Sequence, residues 1–197
     1  MGDGNSASAS LLASKICNQI CSVFSKESEA HPPPLGLMVE ALSSTAEQGG
    51  KVFVYGVGRE GLMMKALCMR LSHLGLNAHC VLDMTAPPIS RNDLLIASAG
   101  PGGFSTVDAI CRVAQSYGGR ILLLTAQPER VKVECEICYV AAQTMADDAI
   151  VEGGALMLMG SVYEGALFVL FEMVVYGLRH ALRQSPESIR SRHTNLE

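Results

Sequence analysis

The chain has 197 residues, 49% of them hydrophobic and 17% charged, with no tryptophan and a net charge of −4 from 15 basic and 19 acidic residues. Such hydrophobicity excludes a mostly disordered chain, and the mild negative balance offers no electrostatic attraction for nucleic acid or an anionic membrane surface. The core has to be aliphatic, and an apolar chain with few surface charges points to hydrophobic surface covered by a second copy.

Residues 1–10 are small and polar and read as a flexible leader, with 11–197 forming one domain. The leader has neither an Arg-rich amphipathic pattern nor an apolar signal core, although Met1-Gly2-Asp3-Gly4-Asn5-Ser6 fits the bare N-myristoylation pattern at Gly2. Apolar residues at 12, 16, 20, 23 and 24 predict a helix over 11–28, which Pro32-Pro33-Pro34 cannot continue. A second helix over 35–48 closes at Gly49-Gly50. Short apolar runs then alternate with helices. Strands are expected at 52–55, 79–82, 94–97, 121–124 and 137–140, with helices at 61–74 and 105–117. A long helix over 153–183 and a polar tail complete the chain. This alternation predicts an α/β fold, a three-layer αβα sandwich around a five-stranded parallel sheet. The most apolar stretch, 165–178, contains Glu172 and is too short to span a bilayer, so it reads as a buried helix of a cytoplasmic protein.

Seven cysteines, an odd number, fall mostly inside apolar segments and read as free thiols. Cys135 and Cys138 lie three apart in a strand and point to opposite faces, while Cys17 and Cys21 share a helix face but are only two ligands. No metal is expected.

In a parallel sheet of this kind, ligands bind beyond the carboxyl ends of the strands. Two strands end in glycine-rich loops: Gly56-Val57-Gly58-Arg59-Glu60-Gly61 after the first, and Ser98-Ala99-Gly100-Pro101-Gly102-Gly103 after the third. Such loops bring backbone N–H groups up to an anion, aided by the field of the following helix. An anion or sugar site built from Gly56, Gly58, Arg59, Ser98, Gly100, Gly102 and Gly103 is one reading. The first loop also satisfies G-x-G-x-x-G, and Asp83 ends the next strand where a ribose-binding carboxylate belongs, so a nicotinamide dinucleotide site is the other.

The segments 54–59 and 69–75, with Asp93-Leu94-Leu95-Ile96, Met159-Gly160-Ser161-Val162-Tyr163-Glu164 and the ending Arg192-His193-Thr194-Asn195-Leu196-Glu197, resemble sugar isomerase (SIS) domains, most closely the 6-phospho-3-hexuloisomerase branch. The resemblance runs from about residue 10 to the end. It implies the SIS form of this sandwich, a homodimer or homotetramer, a phosphorylated sugar substrate, and no cofactor. The implied reaction interconverts a 3-ketose phosphate and fructose 6-phosphate through an enediol(ate). On the same basis Glu164 is the expected proton shuttle, its pKa raised by burial, and His193 an acid/base residue, possible also in a neighbouring subunit's site. Arg59 would orient the anionic substrate, His73 and His79 are structural, and Glu172 pairs at an interface.

The chain departs from the family's phosphate-site pattern. Glu60 stands where a first-loop hydroxyl is expected, Gly100 and Gly103 replace second-loop hydroxyl residues, Pro101 replaces the loop glycine, and only Ser98 is retained. Each hydroxyl bond to a charged phosphate is worth roughly 1.5–3 kcal/mol. An inward Glu60 would add like-charge repulsion unless Arg59 neutralised it. Backbone donors of the loop glycines, or Ser105 and Thr106, could compensate. A non-catalytic sugar-phosphate-binding or assembly protein on the same fold is therefore the alternative function.

Overall fold

A strand covered on both faces cannot alternate polar and apolar residues, and β3 (Leu94–Ser98) accordingly is buried along its whole length. It lies mid-sheet in the computed structural model, which describes residues 3–26, 28–147 and 156–196. The other strands are β1 (Lys51–Tyr55), β2 (Asn77–Cys80), β4 (Arg120–Thr125) and β5 (Glu136–Tyr139). All pair in parallel in the order β2-β1-β3-β4-β5, with Val54 opposite both Cys80 and Ile96, Ile96 opposite Leu122, and Leu124 opposite Cys138.

Alternate strand residues feed two cores. Val52, Val54, Leu94, Ile96, Leu122, Leu124 and Cys138 pack beneath α2 (Pro34–Glu47), α3 (Gly58–His73) and α5 (Ser161–Ala181). Phe53, Tyr55, Leu95, Ala97, Ile121 and Leu123 pack on the other side beneath α4 (Ser105–Ser116). The two faces follow from handedness. From β1 the chain moves to β2 through α3, and from β3 it moves the opposite way to β4 through α4; right-handed crossovers then place the two helices on opposite sides. Cys135 packs against the second core and Cys138 belongs to the first, as the strand period requires.

Helix α5 carries a helical stripe of buried residues, Val162, Tyr163, Ala166, Leu167, Leu170, Phe171, Val174, Val175 and Leu178. By length and composition it could cross a membrane, but half of its most apolar window is buried in the fold. That window closes the core over the sheet.

Several boundaries differ from the sequence reading. Helix α1 (Asp3–Cys21) begins inside the stretch read as a leader, and a 3-10 turn (Ser22–Ser25) ends the segment early. Gly2 lies outside the described residues. Strand β2 sits two residues earlier than expected. Helix α5 begins at Ser161 rather than near 153, because Met159 and Gly160 take positive φ (52° and 79°) and turn the chain just before it; residues 153–155 lie outside the described residues. The polar tail contains a short helix, α6 (Pro186–Ser191), whose Ser185 cap accepts the Ser188 N–H at 3.1 Å. Ser-Pro at a helix start is a legible signal that the sequence reading passed over.

Candidate functional site

The strand order reverses direction between β1 and β3, so the connections leaving their carboxyl ends diverge and leave a crevice. Both glycine-rich loops border it. In the first, Gly61 backs onto Gly56: a Cβ at 61 would stand 2.6 Å from the Gly56 carbonyl oxygen. Gly58 opens α3, and Arg59 and Glu60 follow in its first turn.

Arg59 and Glu60 point to different places. Arg59 reaches across to the turn before α5, where Nη1 donates to Ser161 Oγ at 3.0 Å and Nη2 donates to the Met159 carbonyl. Nη2 also pairs with Glu164 Oε2 at 2.9 Å. The sequence-based suggestion that Arg59 neutralises Glu60 therefore gives way: the guanidinium, half exposed, is held by Glu164 and the α5 entry turn. Glu164, in the first turn of α5, has a side chain 16% exposed. Burial raises its carboxyl above the usual range, the Arg59 charge pulls it back, and the Glu60 charge raises it again, with the upward effect prevailing.

Glu60 turns inward and is 7% exposed. Ser98 Oγ donates to Glu60 Oε2 at 2.6 Å, and the Gly100 N–H is shared between the two carboxylate oxygens at 3.1 and 3.3 Å. Tyr163, missed as a site residue by the sequence reading although it adjoins Glu164, lies behind this group with its hydroxyl 3.2 Å from Ser98 Oγ. Ser98 has one proton, which goes to Glu60 Oε2, so the Tyr163 hydroxyl is the donor in the next bond. Consecutive helix positions are about 100° apart. That rotation sends Tyr163 into the core and leaves Glu164 at its edge. Burial, opposed by the bonds from Ser98 and Gly100, raises the Glu60 carboxyl, and burial with the Glu60 charge raises the Tyr163 hydroxyl well above its usual value.

The second loop is fixed by what surrounds it. A Cβ on Gly100 would stand 2.9 Å from two Tyr163 ring carbons and 3.1 Å from Glu60 Oε1, so no hydroxyl residue fits there while Glu60 points inward. Gly102 has φ +96°, and a Cβ there would meet Arg130 Cβ at 2.4 Å and the Gln127 carbonyl oxygen at 2.6 Å. The Gly100 carbonyl accepts from Ala126 N–H at 3.0 Å and Thr125 Oγ1 at 3.3 Å, binding the loop to the end of β4. Gly103 faces Asp108, whose Oδ1 would be 3.6 Å from an added Cβ.

The remaining candidates lie elsewhere. His193 stacks near His73 with ring centroids 5.1 Å apart, and Arg192 Nη1 donates to the His73 carbonyl at 3.0 Å. That contact is at the C-terminal end of α3, roughly 22 Å along the helix axis from Gly58 at 1.5 Å per residue. Within one chain the fold thus brings together Arg59, Glu164, Ser98, Gly100 and Glu60, and not His193. Asp83 Oδ1 accepts from both the backbone and hydroxyl of Thr85, at 3.2 and 3.0 Å. His79 bonds Asn77 Oδ1 at 2.8 Å, and Glu172 makes a two-pronged pair with Arg70 at 2.9 Å for each bond, inside the chain. Among the described residues, no cluster of three or more His, Cys, Asp or Glu side chains could hold a metal.

No family model matches the chain. It is 34% identical to the 3-hexulose-6-phosphate isomerase of Mycobacterium gastri over 162 residues, covering 81% of this chain and 80% of that one. It is 30% identical to the enzyme of the same name from Bacillus subtilis over 148 residues, covering 75% and 80%. The fold matches the crystal structure of a Methanococcus jannaschii protein for which a 3-hexulose-6-phosphate isomerase function was inferred, with a TM-score of 0.70, 22% identity, and coverage of 92% of this chain and 97% of that one. Sequence identity over most of both chains, on a shared sheet, makes this chain a member of the 3-hexulose-6-phosphate isomerase family of SIS-domain proteins.

Proposed function

We propose that the protein is a ketose-phosphate isomerase that shifts a carbonyl between adjacent carbons through an enediolate, with Glu164 carrying the proton. The observation that carries this reading is Glu164 itself: a part-buried carboxylate at the edge of the β1–β3 crevice, with its pKa raised and Arg59 at 2.9 Å. A base that gives its proton back on the neighbouring carbon works best when its pKa lies nearer the working pH than a free glutamate's, and burial supplies that change. Arg59 fixes the carboxylate's direction from α3, and its exposed side is available to an anionic enediolate oxygen. The reaction moves one proton from carbon to the neighbouring carbon and a second from the hydroxyl oxygen to the former carbonyl oxygen; the two carbons exchange oxidation levels, so no redox partner is needed.

The relatives' names supply the first substrate to try. The purified protein is expected to convert 3-hexulose 6-phosphate to fructose 6-phosphate, and Glu164→Gln to lose turnover while still binding the sugar phosphate. No turnover by the folded wild type across a panel of ketose and aldose phosphates would sink the reading. One observation favours a second reading, a sugar-phosphate-binding protein without turnover: the Glu60 carboxylate occupies donors of the second loop. Thermal stabilisation by sugar phosphates with no isomerisation on the panel would select it.

The protein is further proposed to act in the cytoplasm as a homo-oligomer. Leu62 and Met69 on α3, seven residues apart, and Phe168 and Tyr176 on α5 are large apolar side chains more than half exposed in the single chain. A patch of that kind is suited to burial against a second copy. His193, remote from Glu164 in its own chain, would then meet chemistry only in a neighbour's site.

A further inference from the structure

We propose that Glu60 is a built-in competitor for the anionic end of the ligand: its carboxylate occupies the donors at the β3 turn, so a phosphate group enters there only by displacing it. The proposal rests on the phosphosugar reading for the identity of the ligand, but its physical content is the anion site itself.

Three observations place an anion site at this turn. Ser98 Oγ–H and the Gly100 N–H converge on one point at the carboxyl end of β3, beside the β1–β3 crevice. The point is occupied by a carboxyl group, and that group belongs to the chain. The occupant is also built in sterically: the Tyr163 ring and Glu60 Oε1 fill the space that a side chain at position 100 would need. Glu at 60 and glycine at 100 are thus two halves of one arrangement, since a hydroxyl residue at 100 would collide with the inward carboxylate and the ring behind it.

Charge points the same way. Arg59 gives its guanidinium to Glu164 and the turn before α5, not to Glu60. The Glu60 charge raises the cost of ionising Glu164, and Asp108 adds a third carboxylate at Gly103. A phosphate arriving at this turn meets filled donors and like charge. Glu60 is therefore a specificity-determining residue: it weakens the hold on a phosphate group while leaving the sugar-binding and proton-transfer parts of the crevice in place.

The test compares wild type, Glu60→Ala and Glu60→Gln by calorimetry with inorganic phosphate, fructose 6-phosphate and fructose. Removing the competitor in Glu60→Ala is expected to tighten inorganic phosphate and fructose 6-phosphate at least tenfold, with fructose unchanged within about twofold. Glu60→Gln, which removes the charge and keeps the bulk, is expected to fall between. Phosphate affinity in folded Glu60→Ala equal to or weaker than wild type overturns the proposal, as does absence of binding in both. If Glu60→Ala does not fold, Glu60→Gln decides: tighter phosphate supports the proposal and unchanged or weaker phosphate overturns it. The inorganic-phosphate arm is independent of turnover, so a protein that isomerises nothing can still pass this test, and an active isomerase can still fail it.

Discussion

Two buried carboxylates sit at opposite ends of one sheet and are held in opposite ways. Asp93, at the amino end beside β3, is 1% exposed and accepts from the Lys51 N–H, the Ser90 N–H and the Ser90 hydroxyl at 2.7, 2.7 and 2.8 Å, while pairing with the Lys51 ammonium at 2.9 Å. Burial raises its pKa, but those bonds and that cation together hold it below the ordinary aspartate value. Glu60, at the carboxyl end, accepts from Ser98 and Gly100 but pairs with no cation among the described residues, and burial prevails. The difference separates a carboxylate that fastens strands from carboxyls left without full compensation. Asp93 ties the starts of β1 and β3 together, and its carbonyl receives the Arg120 N–H that starts β4. The other edge keeps under-compensated acids, and perturbed carboxylates are the ones available for proton transfer and ligand selection.

The largest effect expected from this contrast is on turnover. Glu164→Gln should lower kcat on the isomerised sugar phosphate by about 10²–10⁴-fold, the usual range for losing a proton-transfer group. Asp93→Asn, once folded, should leave kcat within a few-fold. Equal kcat losses in the two variants would erase the distinction between the edges.

Stability should show the reverse order. Asp93→Asn leaves the Lys51 ammonium without its anion and puts an amide where Ser90 needs an acceptor, which should cost about 2–4 kcal/mol. For a chain of this size that is a Tm lowered by roughly 4–16 °C. Glu60→Gln should shift stability by less than about 1 kcal/mol, because a neutral amide keeps an acceptor for Gly100 and removes a buried charge. A Tm for Asp93→Asn within 2 °C of wild type would show that the amino edge does not depend on this pair.

The pH dependences of stability should run in opposite directions. Asp93 has a depressed folded pKa, so its contribution is present above the ordinary aspartate value, about 3.9, and is lost as pH falls through the folded value. Glu60 has a raised folded pKa, so the folded state binds the proton more tightly. Stability then declines as pH rises from the ordinary glutamate value, about 4.3, through the folded value. Thermal melts across pH should show Asp93→Asn converging on wild type in acid, and Glu60→Gln lacking the wild type's decline above pH 4.3. Matching profiles in all three proteins would refute both assignments.

The smallest predicted effect is a shift in the acid limb of kcat/KM. With Glu164 raised, that limb should lie above the ordinary glutamate range. Arg59→Ala removes the charge that lowers Glu164 and should move the limb further upward. A limb that stays in place would mean that Glu164 is not the titrating base.

The sheet was legible because its strands are apolar runs that have to be covered on both sides: Leu94, Leu95, Ile96 and Ala97 can sit in no other kind of strand. The glycine loops located the crevice, and the segment around Ser161, Tyr163 and Glu164 carried the family resemblance. The start of α5 was misplaced because periodicity does not register the left-handed turn at Met159 and Gly160. The hydroxyl contact of Tyr163 was missed because an aromatic on an apolar helix reads as core, which Tyr163 is, and only the tertiary structure brings its hydroxyl to 3.2 Å from Ser98 Oγ.

The opening composition, 49% hydrophobic with few charges, determined by itself that the chain folds around a large aliphatic core, and the order of its apolar runs determined a parallel sheet between helices. Those outcomes depend on local pattern and on area removed from water, which a linear sequence contains. Where the charges go was decided only by the tertiary structure. Arg59 and Glu60 are neighbours in sequence, yet one pairs with Glu164 on α5 and the other enters the turn after β3. Adjacent residues on a helix diverge by about 100°, so their partners come from different parts of the chain.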